Sequence, residues 1–378
     1  MPVTPVTLLI FSAGDLRDEA ERLVTETRHA ITLDVVERAR QIDGIGQIIV
    51  ATNSRELAVR LRPYDVTADF DGDAPFTFGA RLASLIEQHA IEKPFYIGGG
   101  AGALLGVDDM RAIVERLARE ERVLIPNNYW SSDFVAFAPG RAALGLPPLE
   151  SDNNLAHLLR TRHELPVVAL PRTAGTQFDV DTPTDVLLLS YAKLLGRHTR
   201  AGLAAQPANT AHIERLLPHL TQRESELFVF GRVATEVWRY FETQIACRTR
   251  LVSEERGLVA SGREARGEAR SLLGYLFDTV GIARAFELIA ELGTAALIDL
   301  RVLLAHRGLS LPAADRFNAD LLRADRIHDP WLREFTQAAT QARIPLIVGG
   351  HSLVCGGLYL LAEAAWRDFP PAASSGSG

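Results

Sequence analysis

The stretch Phe178-Asp179-Val180-Asp181-Thr182-Pro183-Thr184-Asp185 leads directly into a leucine-rich apolar run and carries the clearest local signal of the sequence. Thr182 is a good N-cap, and Pro183 suits the first helical position because its missing N–H is not needed there. Asp185 falls beside the positive end of the same helix. The stretch therefore predicts a helix that begins at Thr182. Asp179 and Asp181 precede it, one residue apart, so their side chains diverge if that segment is extended.

Strands and helices alternate along the chain ahead of this helix. Short apolar runs predict strands at 6–11, 45–51, 94–97 and 123–125, and helical spacing of apolar residues predicts helices at 31–39, 78–91 and 107–120. Strands that alternate with helices of this length form a mostly parallel sheet covered on both faces. We therefore expect a three-layer α/β fold in this part of the chain.

The sequence loses this periodicity between Gly196 and Thr210 and becomes helical beyond it. A chain of 378 residues is also long for a single core. We therefore predict an α/β domain at 1–197, a linker at 198–210, a mainly α-helical domain at 211–369 and a disordered tail at 370–378.

The composition excludes several classes of protein. Hydrophobic residues make up 47% and charged residues 23%, as in ordinary soluble globular proteins. The net charge of -7 gives no general attraction for nucleic acid or an anionic membrane, and two cysteines are too few for a disulfide scaffold. The N-terminus lacks the basic leader and long apolar run of a signal peptide. We expect a cytoplasmic protein without nucleic-acid or membrane partners, and the sequence leaves homo-oligomerisation open.

The segment from Asp179 to Asp185 also carries a family resemblance. It resembles the D-I/V-D-T-P-x-D-L ending of guanylyltransferases that act on phospholactate-type acids in deazaflavin cofactor synthesis, and it is similar to the N-T-P-E-D/E-L ending of the molybdopterin guanylyltransferases. These enzymes belong to a nucleotidyltransferase superfamily with a GT-A-like fold. The resemblance implies that Asp179 or Asp181 holds a divalent metal, Mg²⁺ or Mn²⁺, that bridges a triphosphate. The alternative is that both aspartates only cap the helix and satisfy turn amides.

Other stretches follow the same family order along about 190 residues. The resemblance implies phosphate contacts and catalytic cations at the following positions: Ala13, Gly14, Gly98, Gly99, Gly100 and Gly102 for phosphate, and Arg17 and Arg81 as cations. Four glycines in five positions after a strand allow a ligand to approach the backbone closely. Tight packing of the backbone explains the same glycines equally well.

The sequence departs from the family in two places. The family's phosphate loop, L-A-x-G-x-G-S/T-R, has several glycines, whereas residues 11–19 contain one glycine and three acidic residues. The central metal aspartate, found in the family as A-D-L/M/Q-P, has no counterpart before Asp108. Both departures favour an alternative in which the protein kept the fold, lost the activity and acts as a ligand-binding or assembly module through its helical domain.

Polar clusters at strand and helix ends are candidates for binding an acceptor substrate. They comprise Asn128, Ser132, Asp133, Asp152 and Asn153. Amide, hydroxyl and carboxylate groups suit that role, but they are also the usual residues of turns.

The best candidate for an anion site in the second half is a set of arginines. Ser261 and Glu264 have capping-box spacing, and on a helix that begins there Arg263, Arg266 and Arg270 share one face. Arg248, Arg250 and Arg256 extend the set. Cations on one face need a counter-charge, which is either a bound anion or the glutamates nearby, Glu254, Glu255, Glu264 and Glu268.

Gly349-Gly350-His351-Ser352 ends an apolar run, and a helix N-terminus there would favour an anion or a nucleophile. A structural histidine beside a core cysteine, Cys355, is the other interpretation.

Together these features predict a metal-dependent nucleotidyltransferase. It would move an NMP, with GMP implied only by the resemblance, from an NTP to a small acceptor that bears a phosphate or a carboxylate, and release pyrophosphate. The inactive binding module remains the alternative.

Overall fold

The computed structural model describes residues 4–14, 16–71 and 76–370. Apart from Pro370, the tail that the sequence predicts to be disordered lies outside the described residues.

Six strands and eight helices form the first half of the described chain. The strands are β1 Val6–Phe11, β2 Ile45–Thr52, β3 Thr67–Phe70, β4 Pro94–Gly98, β5 Val123–Pro126 and β6 Phe134–Ala138. The helices are α1 Glu19–Ala39, α2 Arg55–Leu61, α3 Phe78–Gln88, α4 Val107–Arg119, α5 Leu155–His163, α6 Ala174–Gln177, α7 Pro183–Leu189 and α8 Arg197–Ala205.

The six strands make one mixed sheet in the order β3-β2-β1-β4-β6-β5. Strands β1 to β4 are parallel, and β6 runs antiparallel to both of its neighbours, β4 and β5. The predicted α/β fold with a mostly parallel sheet is therefore confirmed. The strand order reverses between β1 and β4, which is where doubly wound sheets bind ligands at the carboxyl ends of their strands.

The second half contains four strands and eight helices among the described residues. The strands are β7 Glu226–Gly231, β8 Arg248–Ser253, β9 Ala295–Asp299 and β10 Leu346–Gly349. The helices are α9 Ala211–Thr221, α10 Thr235–Gln244, α11 Leu272–Val280, α12 Ile282–Leu292, α13 Leu300–His306, α14 Ala313–Asp320, α15 Pro330–Gln341 and α16 Gly356–Asp368.

Helices dominate this half, as expected, but they surround a second sheet that the sequence analysis did not anticipate. Its four strands are all parallel, in the order β10-β9-β7-β8. The strands have only four to six residues, and β9 runs directly into α13, so their apolar runs resemble parts of helices. This second sheet reverses its strand order between β7 and β9.

The predicted linker at 198–210 is mostly helical. Its first part belongs to α8, whose N-terminal amides at His198 and Thr199 donate to the carboxylate of Asp34 on α1. The helix has only nine residues and contains Gly202, so its sequence offers a short pattern with a poor helix former inside it.

Helix α7 lies between the two sheets. Thr182 caps it as predicted, with Asp185 completing the capping box, and all seven of its residues are buried. The largest apolar cluster combines side chains of both halves, among them Val6, Leu188 and Leu358. The segment that decides the fold is thus also the segment on which the two sheets meet.

None of the described helices has the length and apolar character needed to cross a membrane.

Candidate functional site

A cavity of about 440 Å³ lies between the two halves. Its charged lining comes from both: the acidic residues are Asp133, Asp179, Asp181 and Glu264, and the basic residues are Arg28, Arg232, Arg256, Arg301 and Arg316. Residues that follow three strands of the second sheet belong to this lining: Arg232 after β7, Arg301 after β9, and Gly350 and His351 after β10. The cavity therefore sits where parallel sheets commonly bind ligands.

The acidic wall is fixed by backbone pairing in the first half. Asp179 forms an antiparallel bridge with Ala101, and the N–H of Val180 donates to the carbonyl of Gly100 at 3.2 Å. Asp133 begins the turn into β6, where Asn127 donates from Nδ2 to its carboxylate at 2.7 Å. Asn127 Oδ1 also accepts from the N–H of Asp133 at 2.9 Å. Two carboxylates from separate loops are thus held at one cavity.

These carboxylates carry perturbed pKa values. Desolvation raises the pKa of Asp133 to about 8, and repulsion from Asp181 and Asp152 adds to the effect. Desolvation, followed by repulsion from Asp181 and Asp133, raises the pKa of Asp179 well above its ordinary value. Asp179 Oδ1 is buried and has no hydrogen-bond partner among the described residues. Clustered carboxylates with an unsatisfied oxygen are arranged to meet a cation.

Asp181 differs from these two carboxylates because its charge is already paired. Its side chain is 61% exposed and forms an ion pair with Arg28 of α1. Arg28 also donates from Nε to the carbonyl of Val180 at 2.7 Å, which holds the guanidinium beside the acidic wall. Of the two aspartates that the resemblance implied, Asp179 is the one whose charge lacks an ion-pair partner.

Two arginines of the second sheet are neutralised by buried aspartates. Arg232 follows β7 and binds Asp299 at the end of β9 through two hydrogen bonds, at 2.7 and 3.1 Å. Arg301 binds Asp320 of α14 through two more, at 2.8 and 2.5 Å. Both aspartates are completely buried. These planar pairs brace the cavity wall and leave little charge for a ligand.

Two further arginines of this wall are unpaired. Neither Arg256 nor Arg316 forms an ion pair with a described residue, and Nε of Arg316 is buried without a hydrogen-bond partner. Desolvation lowers the pKa of both guanidiniums, and a neighbouring arginine, Arg172 for Arg256 and Arg301 for Arg316, adds repulsion. The second half therefore presents uncompensated positive charge to the cavity.

His351 follows β10 and also lines the cavity. Its Nε2 is buried and has no hydrogen-bond partner among the described residues. Desolvation, assisted by repulsion from Arg232 and Arg256, lowers the pKa of His351 to about 3, so the ring is neutral. Burial raises the pKa of the nearby Cys355 thiol to about 11, which makes it a poor nucleophile.

The glycine-rich loop after β4 packs against its own chain and does not line the cavity. A Cβ at Gly100 would lie 2.4 Å from the carbonyl oxygen of Val180, and one at Gly99 would lie 3.0 Å from the backbone of Phe11 and Ser12. Gly98 borders Asp152 and Gly102 packs on Val35. The close approach that these glycines permit is made by the protein backbone itself.

The cations and the first loop implied by the resemblance also lie away from the cavity lining. Arg81 forms ion pairs with Asp69 and Asp71, which neutralise its guanidinium. Gly14 exchanges backbone hydrogen bonds with the side chain of Asn53 and packs on Thr25, and neither Ala13 nor Arg17 is part of the lining.

Only Arg256, of the six arginines expected to bind an anion in the second half, reaches the cavity. The predicted helix at Ser261 is wrong, because Gly262 and Gly267 adopt left-handed φ angles of +70° and +66° and residues 258–267 form successive turns. The other five are engaged elsewhere: Arg248 and Arg250 with Glu226, Arg263 with Glu255 and Glu268, Arg266 with Glu268, and Arg270 with the carbonyls of Gly267 and Ala269.

The candidate acceptor residues are brought close together. Asn128, Asp133 and Asn153 line the cavity. Ser132 and Asp152 lie behind them, since Ser132 Oγ donates to the carbonyl of Asp152 at 3.1 Å and the Asp152 carboxylate accepts from Tyr96 at 2.8 Å. Desolvation by burial raises the pKa of Asp152 to about 6, and electrostatic repulsion adds to the effect.

Among the described residues, Asp34, Glu37 and His198 form a group of three with metal-type spacing outside the cavity. Its ligand atoms are already used: Asp34 caps α8, and Glu37 accepts from Arg197, His198 and Tyr64. We assign this cluster a structural role.

The sequence analysis missed Arg28, Arg232, Arg301 and Arg316 as cavity residues. Arg232 and Arg301 had a usable signal, because each follows a short apolar run that ends in Gly231 or in Asp299-Leu300. Those runs become recognisable as strand ends only once the second sheet is known. Arg28 and Arg316 lie on helices, and no local pattern marks them.

No protein-family model matches the sequence, and no curated protein matches it. Solved structures that resemble part of the chain include a nucleotidyl transferase from Methanothermobacter, at 14% identity and a TM-score of 0.39 over 53% of this chain and 99% of that one. A cytidylyltransferase from Leptospira borgpetersenii matches at 12% identity and a TM-score of 0.39, over 54% of this chain and 95% of that one. A 4-diphosphocytidyl-2C-methyl-D-erythritol synthase from Anaerococcus prevotii matches at 15% identity and a TM-score of 0.34, over 48% of this chain and 94% of that one. These likenesses are distant.

Proposed function

We propose that the protein is a metal-dependent nucleotidyltransferase that moves an NMP from an NTP to a small anionic acceptor. The observation that carries the proposal is the pair Asp133 and Asp179. Both carboxylates face one cavity, desolvation and repulsion from Asp181 raise the pKa of each, and Asp179 Oδ1 lacks a hydrogen-bond partner among the described residues.

The residues at this position fit a divalent cation. Mg²⁺ in phosphoryl-transfer sites is usually held by one or two carboxylates together with phosphate oxygens. Asp179 is one carboxylate, and Asp133 supplies from β6 the second one that the sequence lacks after β4. When bound, the ion would neutralise triphosphate oxygens and polarise the phosphorus under attack.

The remaining chemistry needs positioning more than proton transfer. An oxygen of the acceptor's phosphate or carboxylate is already ionised, so it can attack the α-phosphorus without a general base. A new oxygen–phosphorus bond forms, the bond to the β-phosphate oxygen breaks, and pyrophosphate leaves with the electron pair. Positioning and neutralisation of charge are the main protein contributions to such a step. Arg28, held by Val180 beside the carboxylates, is the first-half cation placed to contribute.

The test is thermal unfolding with GTP, CTP, ATP and UTP, each with and without Mg²⁺. GTP is the first choice because of the sequence resemblance alone. A nucleotide at 100 times its Kd stabilises the folded state by about 2.7 kcal/mol, which raises the unfolding midpoint by several degrees. We expect one base to be preferred and the shift to require Mg²⁺.

Asp179→Asn and Asp133→Asn should abolish the Mg²⁺-dependent part of that shift. Asp108→Asn is the matched control, because Asp108 is 96% exposed at the start of α4 and, among the described residues, forms an ion pair with Arg111 alone. No shift with any nucleotide, or an equal shift in the Asp179→Asn protein, would exclude the proposed transferase.

A nucleotide-independent binding module remains the second candidate. The observation in its favour is the glycine loop after β4, which is filled by backbone from Val180 where the related enzymes are expected to receive phosphate. This candidate predicts that the cavity binds a ligand without Mg²⁺ and without any nucleotide.

A further inference from the structure

Several ionisable side chains that line the cavity have no ion-pair partner among the described residues. Of the five arginines, Arg28, Arg232 and Arg301 are paired with aspartates, which leaves Arg256 and Arg316. Among the described acidic lining residues of the first half, Asp133 and Asp179 lack a cation partner. Among the described residues, the first half thus lines the cavity with two unpaired carboxyl groups, and the second half lines it with two unpaired guanidiniums and the carboxylate of Glu264.

An unpaired guanidinium that has lost part of its hydration is costly to the folded state. The guanidinium of Arg256 is attracted by Asp133 and repelled by Arg172 and Arg232. The guanidinium of Arg316 is attracted by Asp320, Asp181 and Glu21 and repelled by Arg301. The charge of Asp320 is already neutralised by its hydrogen bonds with Arg301. A bound anion would relieve both Arg256 and Arg316.

The position of these arginines in the second sheet supports a ligand site independently. The strand order of that sheet reverses between β7 and β9, and Arg232 and Asp299 mark the carboxyl ends of these two strands. Parallel sheets bind ligands in the crevice at such a reversal. Arg256 follows β8, and His351 follows β10 with an unsatisfied Nε2, so the groups around this crevice converge on one place.

We propose that Arg256 and Arg316 form an anion site in the second half that binds a phosphate group of the acceptor. That the phosphate belongs to the acceptor rests on the proposed function, whereas the anion site itself does not depend on it. A phosphate dianion matches two guanidiniums in charge, whereas a carboxylate matches one, and guanidinium groups can bind phosphate oxygens in a bidentate manner. His351 Nε2 offers a further hydrogen bond.

The experiment is calorimetric titration with inorganic phosphate, without nucleotide, at pH 7.5 and low ionic strength. We expect wild-type protein to bind phosphate, and acetate at least tenfold more weakly. Arg256→Gln and Arg316→Gln should each weaken phosphate binding at least tenfold. Arg263→Gln is the matched control, because Arg263 pairs with Glu255 and Glu268 outside the cavity. The phosphate affinity of this variant should stay within twofold of wild type.

Folding of the variants is checked in phosphate-free buffer. Because each substitution removes an uncompensated charge, the unfolding midpoints of Arg256→Gln and Arg316→Gln should equal or exceed that of wild type. Arg256→Lys, which keeps the charge and loses the planar fork, should also bind phosphate more weakly.

Absence of phosphate binding by wild type, or equal binding by the glutamine variants, would overturn the anion site and leave the transferase intact. Titration of the same variants with Mg²⁺ and the preferred nucleotide distinguishes the source of the phosphate. An equal loss of nucleotide affinity would assign the site to the triphosphate and overturn the acceptor role. Phosphate binding at Arg256 and Arg316 without any nucleotide binding would keep the site and exclude the transferase.

Discussion

The hydroxyl of Thr184 donates to the carbonyl of Val348 at 2.6 Å, and this bond ties the start of α7 to the last strand of the second sheet. Thr184 is completely buried, and its Cγ2 also packs against Gly349. The helix that follows the acidic wall is thus fixed directly to the sheet that carries the basic wall.

Thr184→Val should therefore destabilise the protein by about 1–2 kcal/mol, because the buried carbonyl of Val348 loses its hydroxyl donor while the side-chain shape is kept. Chemical denaturation measures the free energy of unfolding. The control is Thr161→Val on α5, where an exposed hydroxyl bonds the carbonyl of His157 in its own helix. Equal effects at both positions would contradict a specific role for the bond between the sheets.

Gly100→Ala should destabilise the protein by about 1–3 kcal/mol, because the new Cβ would lie 2.4 Å from the carbonyl oxygen of Val180. Gly202→Ala in α8 is the matched control. Its Cβ would meet only the Cβ of Ala30 at 3.7 Å, and the higher helix propensity of alanine should make it neutral or stabilising by up to about 1 kcal/mol. A neutral Gly100→Ala protein would mean that the loop has room for a ligand.

The metal-free protein should lose stability as the pH rises from about 6.5 to about 8. Asp133 and Asp185 have pKa values of about 8 in the folded state, mainly through desolvation, and Asp179 is raised as well. The unfolded chain has already released these protons in this interval, so it binds fewer protons than the folded state and stability falls. Histidines that are buried neutral, such as His351, oppose this fall only in the lower part of the interval, because unfolded imidazoles lose their protons near pH 6.5.

Denaturation in EDTA at pH 6.5, 7.2 and 8 measures this slope, and Mg²⁺ should restore the stability lost at pH 8. Asp133→Asn should flatten the slope and remove most of the response to Mg²⁺. A slope that Asp133→Asn leaves unchanged would place the responsible groups elsewhere.

Arg81→Gln should leave kcat of the proposed nucleotidyl transfer within a few-fold of wild type and should reduce stability. Its guanidinium is held by Asp69 and Asp71 outside the cavity lining, so its removal leaves two carboxylates without their partner. Steady-state rates and denaturation on the same sample separate the two effects. A loss of activity of a hundredfold or more without a loss of stability would restore Arg81 as a catalytic candidate.

Local sequence signals predicted the first half well. The strand and helix at 6–11 and 78–91, and the cap at Thr182, are found close to the predicted positions because short apolar runs, amphipathic spacing and capping residues act within a few residues of one another. The same signals predicted the wrong structure at Ser261, where the capping residues are present but Gly262 and Gly267 turn the chain.

The composition of the cavity could not be predicted in this way, because it depends on contacts between distant segments. Asp133 and Asp179 lie 46 positions apart in the sequence, and Arg256 and Arg316 lie on turns and helices whose placement depends on the second sheet. The arginines at 263, 266 and 270 looked equally suitable in sequence, and only their glutamate and carbonyl partners distinguish them from Arg256.

Among the described residues on the basic wall of the cavity, the guanidiniums of Arg256 and Arg316 outnumber the one unpaired carboxylate of Glu264, whereas the opposite wall becomes negative as Asp133 and Asp179 lose their protons. Once both carboxylates are ionised, a molecule with one cationic and one anionic end will be turned by this field to a single orientation, because the reversed placement meets like charge at both walls. Selection of orientation therefore does not require a shape-complementary pocket. A substitution that reverses one wall, such as Asp133→Arg, would be expected to invert the preferred orientation or to exclude the ligand altogether.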